Sequence, residues 1–366
     1  MREAPRPDKK QTTYLEVARL AKVSPATVTR VVSGRTAVSP EIVARVRRAA
    51  KTLGVDLQRK KGSSIVAFFL SNRDVLHPFQ ARILLGAEAY CASQGWEMLF
   101  LSFRYPLVGA YGEIHLPQIL NQSDLLRGII LSGTNTAALL HTLKKRGIVF
   151  AVSGNNVVGD WQPAEWDVVS SDDVAGAYEV TADLISQGHR AIWYIGDLQL
   201  PWFARCAEGY RRAMTEAGLE PLIKGVLAPD RELGYLAVKS ILAQDPVTAV
   251  FAGNDQVAVG VYRALGEAGI SIPGDISVLG FNDTTGENLY PRLTSVREFP
   301  EGLGQHLAEL VLRRIAAPDA DPQQILLPTQ VVRRESSGPP SATRDEAFPA
   351  RQRRILPASV GLIHAP

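Results

Sequence analysis

Residues 23–41 read V-S-P-A-T-V-T-R-V-V-S-G-R-T-A-V-S-P-E, a spacing of caps and valines that allows little besides two short helices about a tight turn. Ser24 is a good N-cap, and Pro25 suits the first helical position, where no backbone N–H is needed. Val28, Val31 and Val32 recur at helical spacing and can pack inward. Ala26, Thr27, Thr29 and Arg30 then face outward, and only the arginine is long. Ahead of this stretch, residues 14–21 carry Leu15, Val17, Ala18 and Ala21 on apolar helical positions. Behind it, Ser39-Pro40-Glu41 opens a third helix expected to run to about Leu53, where Gly54 stops it. A helix that enters the ~12 Å major groove of DNA needs such a slim face with one or two reaching donors.

Charge is distributed to match. Residues 1–61 hold 15 Lys+Arg against 5 Asp+Glu, whereas the other 305 residues hold 25 against 32. A basic end on an acidic body fits an N-terminal part that meets phosphates, with strongly salt-dependent affinity. No apolar run approaches the ~18 residues of a membrane span, and the opening M-R-E-A-P-R-P-D-K-K lacks the apolar core of a secretory signal. The two cysteines, Cys91 and Cys206, stand in no metal or redox spacing, so the chain reads as a cytosolic, reduced protein without cofactor or metal.

From residue 65 onward short apolar runs alternate with amphipathic stretches. Strands are expected at 65–70, 97–101, 128–131, 149–152, 191–195, 224–227, 249–252 and 277–280. Helical periods fill 78–93, 137–146, 175–187, 204–217, 233–243 and 256–268. Such alternation makes parallel sheets covered by helices on both faces, and about eight strands point to two lobes rather than one sheet.

The string V-S-P-A-T-V-T-R-V-V-S-G resembles the DNA-binding headpiece of the LacI family of bacterial transcription regulators. The body is similar to that family's effector-binding core, a type I periplasmic-binding-protein fold. The matching strings follow in order: H-P-F at 77, L-L-R-G-I-I-L-S-G-T at 125, D-D-V-A-G-A at 172 and G-H-R-A-I-W-Y-I-G at 188. E-G-Y-R-R-A-M follows at 208, T-A-V-F-A-G-N-D-Q-V-A at 248, P-G-D-I-S-V-L-G-F-N-D at 273, P-R-L-T-S-V-R at 291 and L-P-T-Q-V-V-R-R-E-S at 327. The resemblance covers roughly residues 12–337. It implies a small all-α helix-turn-helix domain at 12–58 after a flexible basic stretch at 1–11. A shortened linker at 59–64 then leads to a two-lobed α/β effector-binding and dimerisation domain at 65–337, with a disordered tail at 338–366. The chain is expected to cross between lobes near 164, 296 and 326. Without a leucine heptad in the tail, a homodimer is expected rather than a tetramer.

Carried over by position, the family's base-contacting sites fall on Pro25, Ala26 and Arg30. Pro25 and Ala26 offer only apolar contact, whereas Arg30 can bond guanine O6 and N7 together, grip a phosphate, or pair with Glu16. Thr13, Ser24, Thr27, Thr29, Ser33, Arg35 and Arg59 are the expected phosphate contacts, which position without specifying. One departure is large: the family's hinge helix, with its Pro-Asn pair and A-x-x-L pattern, is replaced by G-V-D-L-Q-R-K-K-G-S-S. Leu57 is the one apolar residue there available as a wedge, and Arg59, Lys60 and Lys61 could track phosphates instead. Operator bending by an intercalated side chain is therefore in doubt.

Ligands in two-lobed folds bind between the lobes, beyond strand ends. Phe79, Asp172, Trp202, Arg205, Asn254, Asp255, Asn282 and Asp283 are the candidates for a sugar-like effector, which wants carboxylates, amides, an arginine and an aromatic face. Trp202 could stack on a ring or pack under its loop, and Asp255 and Asp283 could equally cap helices. Two further departures stand in the pocket: Cys206 fills the slot of the family's arginine, with Arg205 one residue upstream, and Gly154 replaces the aspartate that ends the fourth strand. An enzyme is disfavoured, because the six histidines are scattered and neither G-x-S-x-G, a Walker loop nor G-x-G-x-x-G occurs. The reading taken is a homodimeric, repressor-type regulator of double-stranded DNA, bound at a pseudo-palindromic operator and controlled by a small polar metabolite of sugar type. The alternative is a ligand-binding sensor whose DNA role has degraded with its hinge.

Overall fold

The computed structural model describes residues 9–33, 38–53, 55, 64–107, 114, 116–121 and 125–341. Contacts divide the chain into two compact units, Met1–Ser64 with Gln122–Leu126, and Ile65–Asn121 with Arg127–Pro366.

The first unit holds helices α1 (Lys9–Ala21), α2 (Pro25–Ser33) and α3 (Pro40–Thr52). Ser24 caps α2, its Oγ accepting the Thr27 N–H at 3.1 Å. Small side chains fill the core: Val17, Ala18 and Ala21 from α1, Val28 from α2, and Val46, Ala49 and Ala50 from α3. Leu15, expected on the apolar face, is 51% exposed. The inward stripe of α1 instead runs Tyr14, Val17, Ala18, Ala21, a spacing of three and four that turns Leu15 outward. The helix also begins at Lys9, inside the stretch expected to be flexible. Arg35, Leu57, Arg59, Lys60 and Lys61 lie outside the described residues, as do the side chains of Thr13 and Ser33.

The second unit contains two six-stranded sheets. The first runs, edge to edge, Gln324–Leu327, Val168–Ser171, Phe150–Ser153, Leu126–Gly133, Ile65–Ser71 and Glu97–Phe103. The second runs Gln330–Val332, Thr294–Arg297, Ser277–Asn282, Ala249–Ala252, Ile192–Ile195 and Leu222–Lys224. Pairing is parallel apart from Gln330–Val332 on Thr294–Arg297, which is antiparallel. Helices α4 (Pro78–Ser93), α5 (Ala137–Lys145) and α10 (Pro300–Ala316) belong to the first lobe. Helices α6 (Asp173–Ser186), α7 (Pro201–Glu216), α8 (Asp230–Gln244) and α9 (Asp255–Glu267) belong to the second. The core strands are buried on both faces, as in Phe150–Ser153 and Ala249–Ala252, which is why they read as continuous apolar runs.

The lobes exchange chain at three places. Val168–Ser171 still pairs in the first sheet, so the first crossing comes at Asp172 rather than near 164. The second follows Arg297, and the third lies between Leu327 and Gln330. Within the two six-stranded sheets, four strands escaped the sequence reading: Val168–Ser171, Thr294–Arg297, Gln324–Leu327 and Gln330–Val332. All are only three or four residues long, too short for a period to declare itself. The strand expected at 224–227 ends at Lys224. Helix α10 was also missed, although Leu303, Leu307, Leu310 and Val311 carry its period.

Helix pairs pack through glycines. A Cβ on Gly260 of α9 would lie 1.9 Å from Arg231 O of α8, and one on Gly234 of α8 would lie 2.1 Å from Val257 O of α9. Gly86 of α4 and Gly304 of α10 meet in the same reciprocal way, at 2.0 Å each. Beyond the second sheet the chain continues as an ordered strap: Gly338 N–H donates to Ser277 Oγ at 3.1 Å, and Gly338 O lies 2.8 Å from His189 Nε2. Residues 338–341 thus depart from the expected disordered tail, and 342–366 lie outside the described residues. No helix among the described residues is long and apolar enough to cross a membrane.

Candidate functional site

In the first unit, Pro25, Ala26 and Arg30 are exposed on α2. Val28 on the opposite side anchors the helix, so burial itself turns the short residues outward. Ser24 Oγ and Thr27 Oγ1 lie 2.8 Å apart, and Thr29 Oγ1 donates to Pro25 O at 3.2 Å. These hydroxyls line the start of the helix, where N–H groups and the positive end of its dipole suit a phosphate.

In the second unit a cavity opens where the C-terminal ends of strands from both lobes meet. The first lobe contributes Arg73, His77, Phe79, Gln80, Ser153, Asn155, Asn156 and Leu303. The second contributes Asp173, Trp202, Cys206, Gly253, Asn254, Phe281 and Asn282, with Glu298 on the crossing segment that leads to α10.

Two polar clusters line it. In one, Asp173 Oδ2 accepts from Asn155 Nδ2 at 2.8 Å and from Arg205 Nε at 2.9 Å. Glu298 accepts from Asn282 Nδ2, and its carboxyl is electrostatically coupled to that of Asp173. Asp173 and Glu298 are both buried, at 2% and 4% exposure. Burial raises the Asp173 carboxyl, opposed by Arg205; burial and the Asp173 charge together push Glu298 well above the usual carboxylate range. Both carboxyls are thus held toward their protonated forms, Glu298 the more strongly. Asp173 Oδ1, Arg205 Nη2 and Ser153 Oγ are buried without hydrogen-bond partners.

In the other cluster, the Arg73 guanidinium lies 4.3 Å from the centre of the Trp202 ring. Asp230 accepts from Asn254 Nδ2 at 2.9 Å, and His77 Nε2 stands 3.6 Å away from it. Burial works to raise the Asp230 carboxyl, but His77, Arg73 and Asn254 together hold it below its ordinary value. Cys206 is fully buried, and burial drives its thiol far above the ordinary range, so it packs rather than reacts.

The structure brings Phe79, Trp202, Asn254 and Asn282 to the cavity, with Arg205 reaching it through Asp173. Three other expected effector residues are placed elsewhere. Asp172 caps α6, its Oδ1 accepting the Ala175 N–H at 3.0 Å. Asp255 accepts the Thr284 and Thr285 N–H groups and the Ser295 hydroxyl. Asp283 is clasped by Arg297 and Arg334. Each carboxylate is spent on the fold. Conversely, Arg73, Asn155, Asp173 and Glu298 were not singled out in the sequence. Asp173 stood in the D-D-V-A-G-A string, but only the helix start decides which aspartate caps and which turns inward. No group of three or more His, Cys, Asp or Glu among the described residues could hold a metal ion.

A slim donor-bearing helix in a basic three-helix unit, and a polar cavity between two α/β lobes, define a ligand-responsive DNA-binding regulator. Residues 13–55 match the model of bacterial regulatory proteins of the lacI family, and residues 181–337 match that of a periplasmic binding protein-like domain. The HTH-type transcriptional regulator CelR of Thermobifida fusca is 29% identical over 349 residues, spanning 90% of this chain and 99% of its own. The ribose operon repressor of Haemophilus influenzae is 29% identical over 341 residues, spanning 88% and 98%. Among solved structures, the transcriptional regulator CelR–cellobiose complex has a TM-score of 0.66 at 29% identity and covers 91% of this chain and 100% of that one. The chain thus joins a lacI-family headpiece to a periplasmic binding protein-like domain, and the relatives it matches are transcriptional regulators.

Proposed function

We propose that this regulator is a repressor, acting as a homodimer on a pseudo-palindromic operator, and that a small polar metabolite of sugar type seated between the lobes sets its affinity for DNA. The cavity carries this reading: both lobes wall it, and Asp173 Oδ1, Arg205 Nη2, Ser153 Oγ and Trp202 Nε1 are buried there or beside it without partners. Buried polar atoms cost ~1–3 kcal/mol each when unpaired, and hydroxyls that both donate and accept satisfy them. A ligand touching both lobes favours one lobe arrangement over another, which is the requirement for a population shift. The CelR structure with cellobiose and the ribose operon repressor support a sugar-type effector. On the DNA side, Pro25, Ala26 and Arg30 read bases, while Ser24, Thr27 and Thr29 hold phosphates. A sensor without a DNA role is disfavoured, because residues 13–55 match the headpiece family.

The test is a thermal-shift screen of carbohydrates on the full chain, followed by footprinting on its promoter region with and without the hit. A ligand that binds the folded state raises the melting temperature. By linkage, bound operator must change the hit's affinity by the factor through which the hit changes operator affinity. A hit whose affinity is identical on free and operator-bound protein refutes the allosteric reading, as does a hit that the protein chemically converts.

A further inference from the structure

The effector reading leaves one charge unexplained. Arg73 sits in the loop between Ile65–Ser71 and α4, and it lines the cavity. Its guanidinium is stacked on Trp202 at 4.3 Å, yet among the described residues no acceptor lies within hydrogen-bonding distance of its five N–H donors. The arginines around the lobe junction are otherwise matched: Arg205 with Asp173, and Arg297 and Arg334 with Asp283. The charge of Asp230 acts on Arg73 through space, while Asp230 itself bonds Asn254. Arg73 is half-buried; burial lowers its pKa, and the charge of Asp230 only partly opposes this.

From this geometry we propose that the effector is an acidic polyol, a sugar acid or sugar phosphate, whose anionic group is held by the fork of Arg73 beside Trp202. The proposal rests on the effector reading above and narrows it. Guanidinium matches the planar, two-oxygen edge of a carboxylate or phosphate, and stacking on an indole holds that fork in plane. His77, whose ring nitrogens are buried without hydrogen-bond partners, stands in the same wall and adds a donor. The remaining wall has the opposite character. Asp173, Glu298 and Asn282 present acceptors and an amide suited to hydroxyls, and the charge of the carboxyl pair would repel an anion. A cavity with an unmatched cation in one cluster and a carboxyl pair in the other orients a ligand that is acidic at one end and hydroxylated at the other.

The experiment uses the full chain and matched sets: an aldose, its uronate or aldonate, and its phosphate ester, for the gluco, galacto and ribo series. Calorimetry should give at least about tenfold tighter binding of an acidic member than of its neutral counterpart. Which acidic member wins separates carboxylate from phosphate. Arg73→Gln should lose about tenfold or more for that acid, and clearly more than it loses for the neutral sugar. Arg73→Lys, which keeps the charge without the fork, should fall between. The acidic assignment is overturned if neutral sugars bind as tightly as their acids, or if Arg73→Gln leaves acid affinity intact. It is equally overturned if Arg73→Gln merely tightens every sugar, since Arg73 would then be the chain's own plug on Trp202. In all three cases the sugar-type effector reading stands. If no member of any set binds a protein that melts cooperatively, both readings fall together.

Discussion

Glu298 and Asp173 line the same cavity with their carboxyls electrostatically coupled, and burial raises both. Asp173 leads out of the first crossing between lobes, and Glu298 follows the second, so the pair ties two crossing segments together. Two carboxylates this close cannot both ionise in a water-poor site.

Glu298→Gln should therefore be tolerated, since glutamine reproduces the neutral form and keeps a donor toward Asp173. Stability should stay within about 1 kcal/mol, whereas Glu298→Ala should cost ~2–3 kcal/mol for the unpaired amide of Asn282 and the space left behind. The raised Glu298 pKa stabilises the fold most in acid, and that contribution is lost as pH rises toward the folded value. Urea unfolding should accordingly show a smaller decline with rising pH in the glutamine variant than in the parent. A steeper decline would mean that Glu298 is ionised in the folded state.

Asp255 gives a second pH signature in a narrower window. Burial raises its carboxyl from 3.8 to about 6, despite the hydrogen bonds from Thr284, Thr285 and Ser295. The sign is the same: the contribution is complete below about pH 4 and falls by ~3 kcal/mol as pH climbs through about 6. Asp255→Asn retains a carbonyl for the Thr284 and Thr285 N–H groups and can donate to the Ser295 hydroxyl. The stability difference between variant and parent should move in favour of asparagine between pH 4 and 6. Parallel curves for the two proteins would contradict the raised value.

Helix α9 supplies a paired packing test. Gly260→Ala drives a Cβ to within 1.9 Å of the Arg231 carbonyl, so α8 and α9 must separate, at ~1–3 kcal/mol. Gly266→Ala in the same helix meets nothing within 4 Å and should gain about 0.5–1 kcal/mol from helix propensity. Opposite shifts in melting temperature are expected, and equal shifts would show that this helix contact is loose.

Arg30→Ala should weaken operator binding by ~1–3 kcal/mol and relax preference at one base pair in each half-site. Titrations against a set of single-base operator variants check this. If specific and random duplex lose affinity equally, Arg30 holds backbone rather than a base.

Much of the architecture was open to inspection in the linear text. Ser24, Pro25 and the valines of α2 announce a capped helix, because caps and helical periods act over three or four residues. The strand-helix alternation after Ile65 announced two parallel sheets for the same reason: strands buried on both faces must be apolar throughout. The short strands at the crossings gave no such signal, and α10 went unread despite its leucines.

The cleft followed a different rule. Phe79, Trp202, Asn254 and Asn282 reach it because they close strands or open helices, positions that a string of residues does betray. Whether a carboxylate faces ligand or serves the scaffold could not be read that way: Asp172, Asp255 and Asp283 each found N–H, hydroxyl or guanidinium partners in the fold, while Asp173 turned into the cavity. Local chemistry along the chain thus decided the helices, the sheets and which residues α2 exposes. Folding alone decided how Asp173 and Glu298 are coupled and which face Arg73 covers, because desolvation and charge pairing depend on groups from strand ends far apart in the chain.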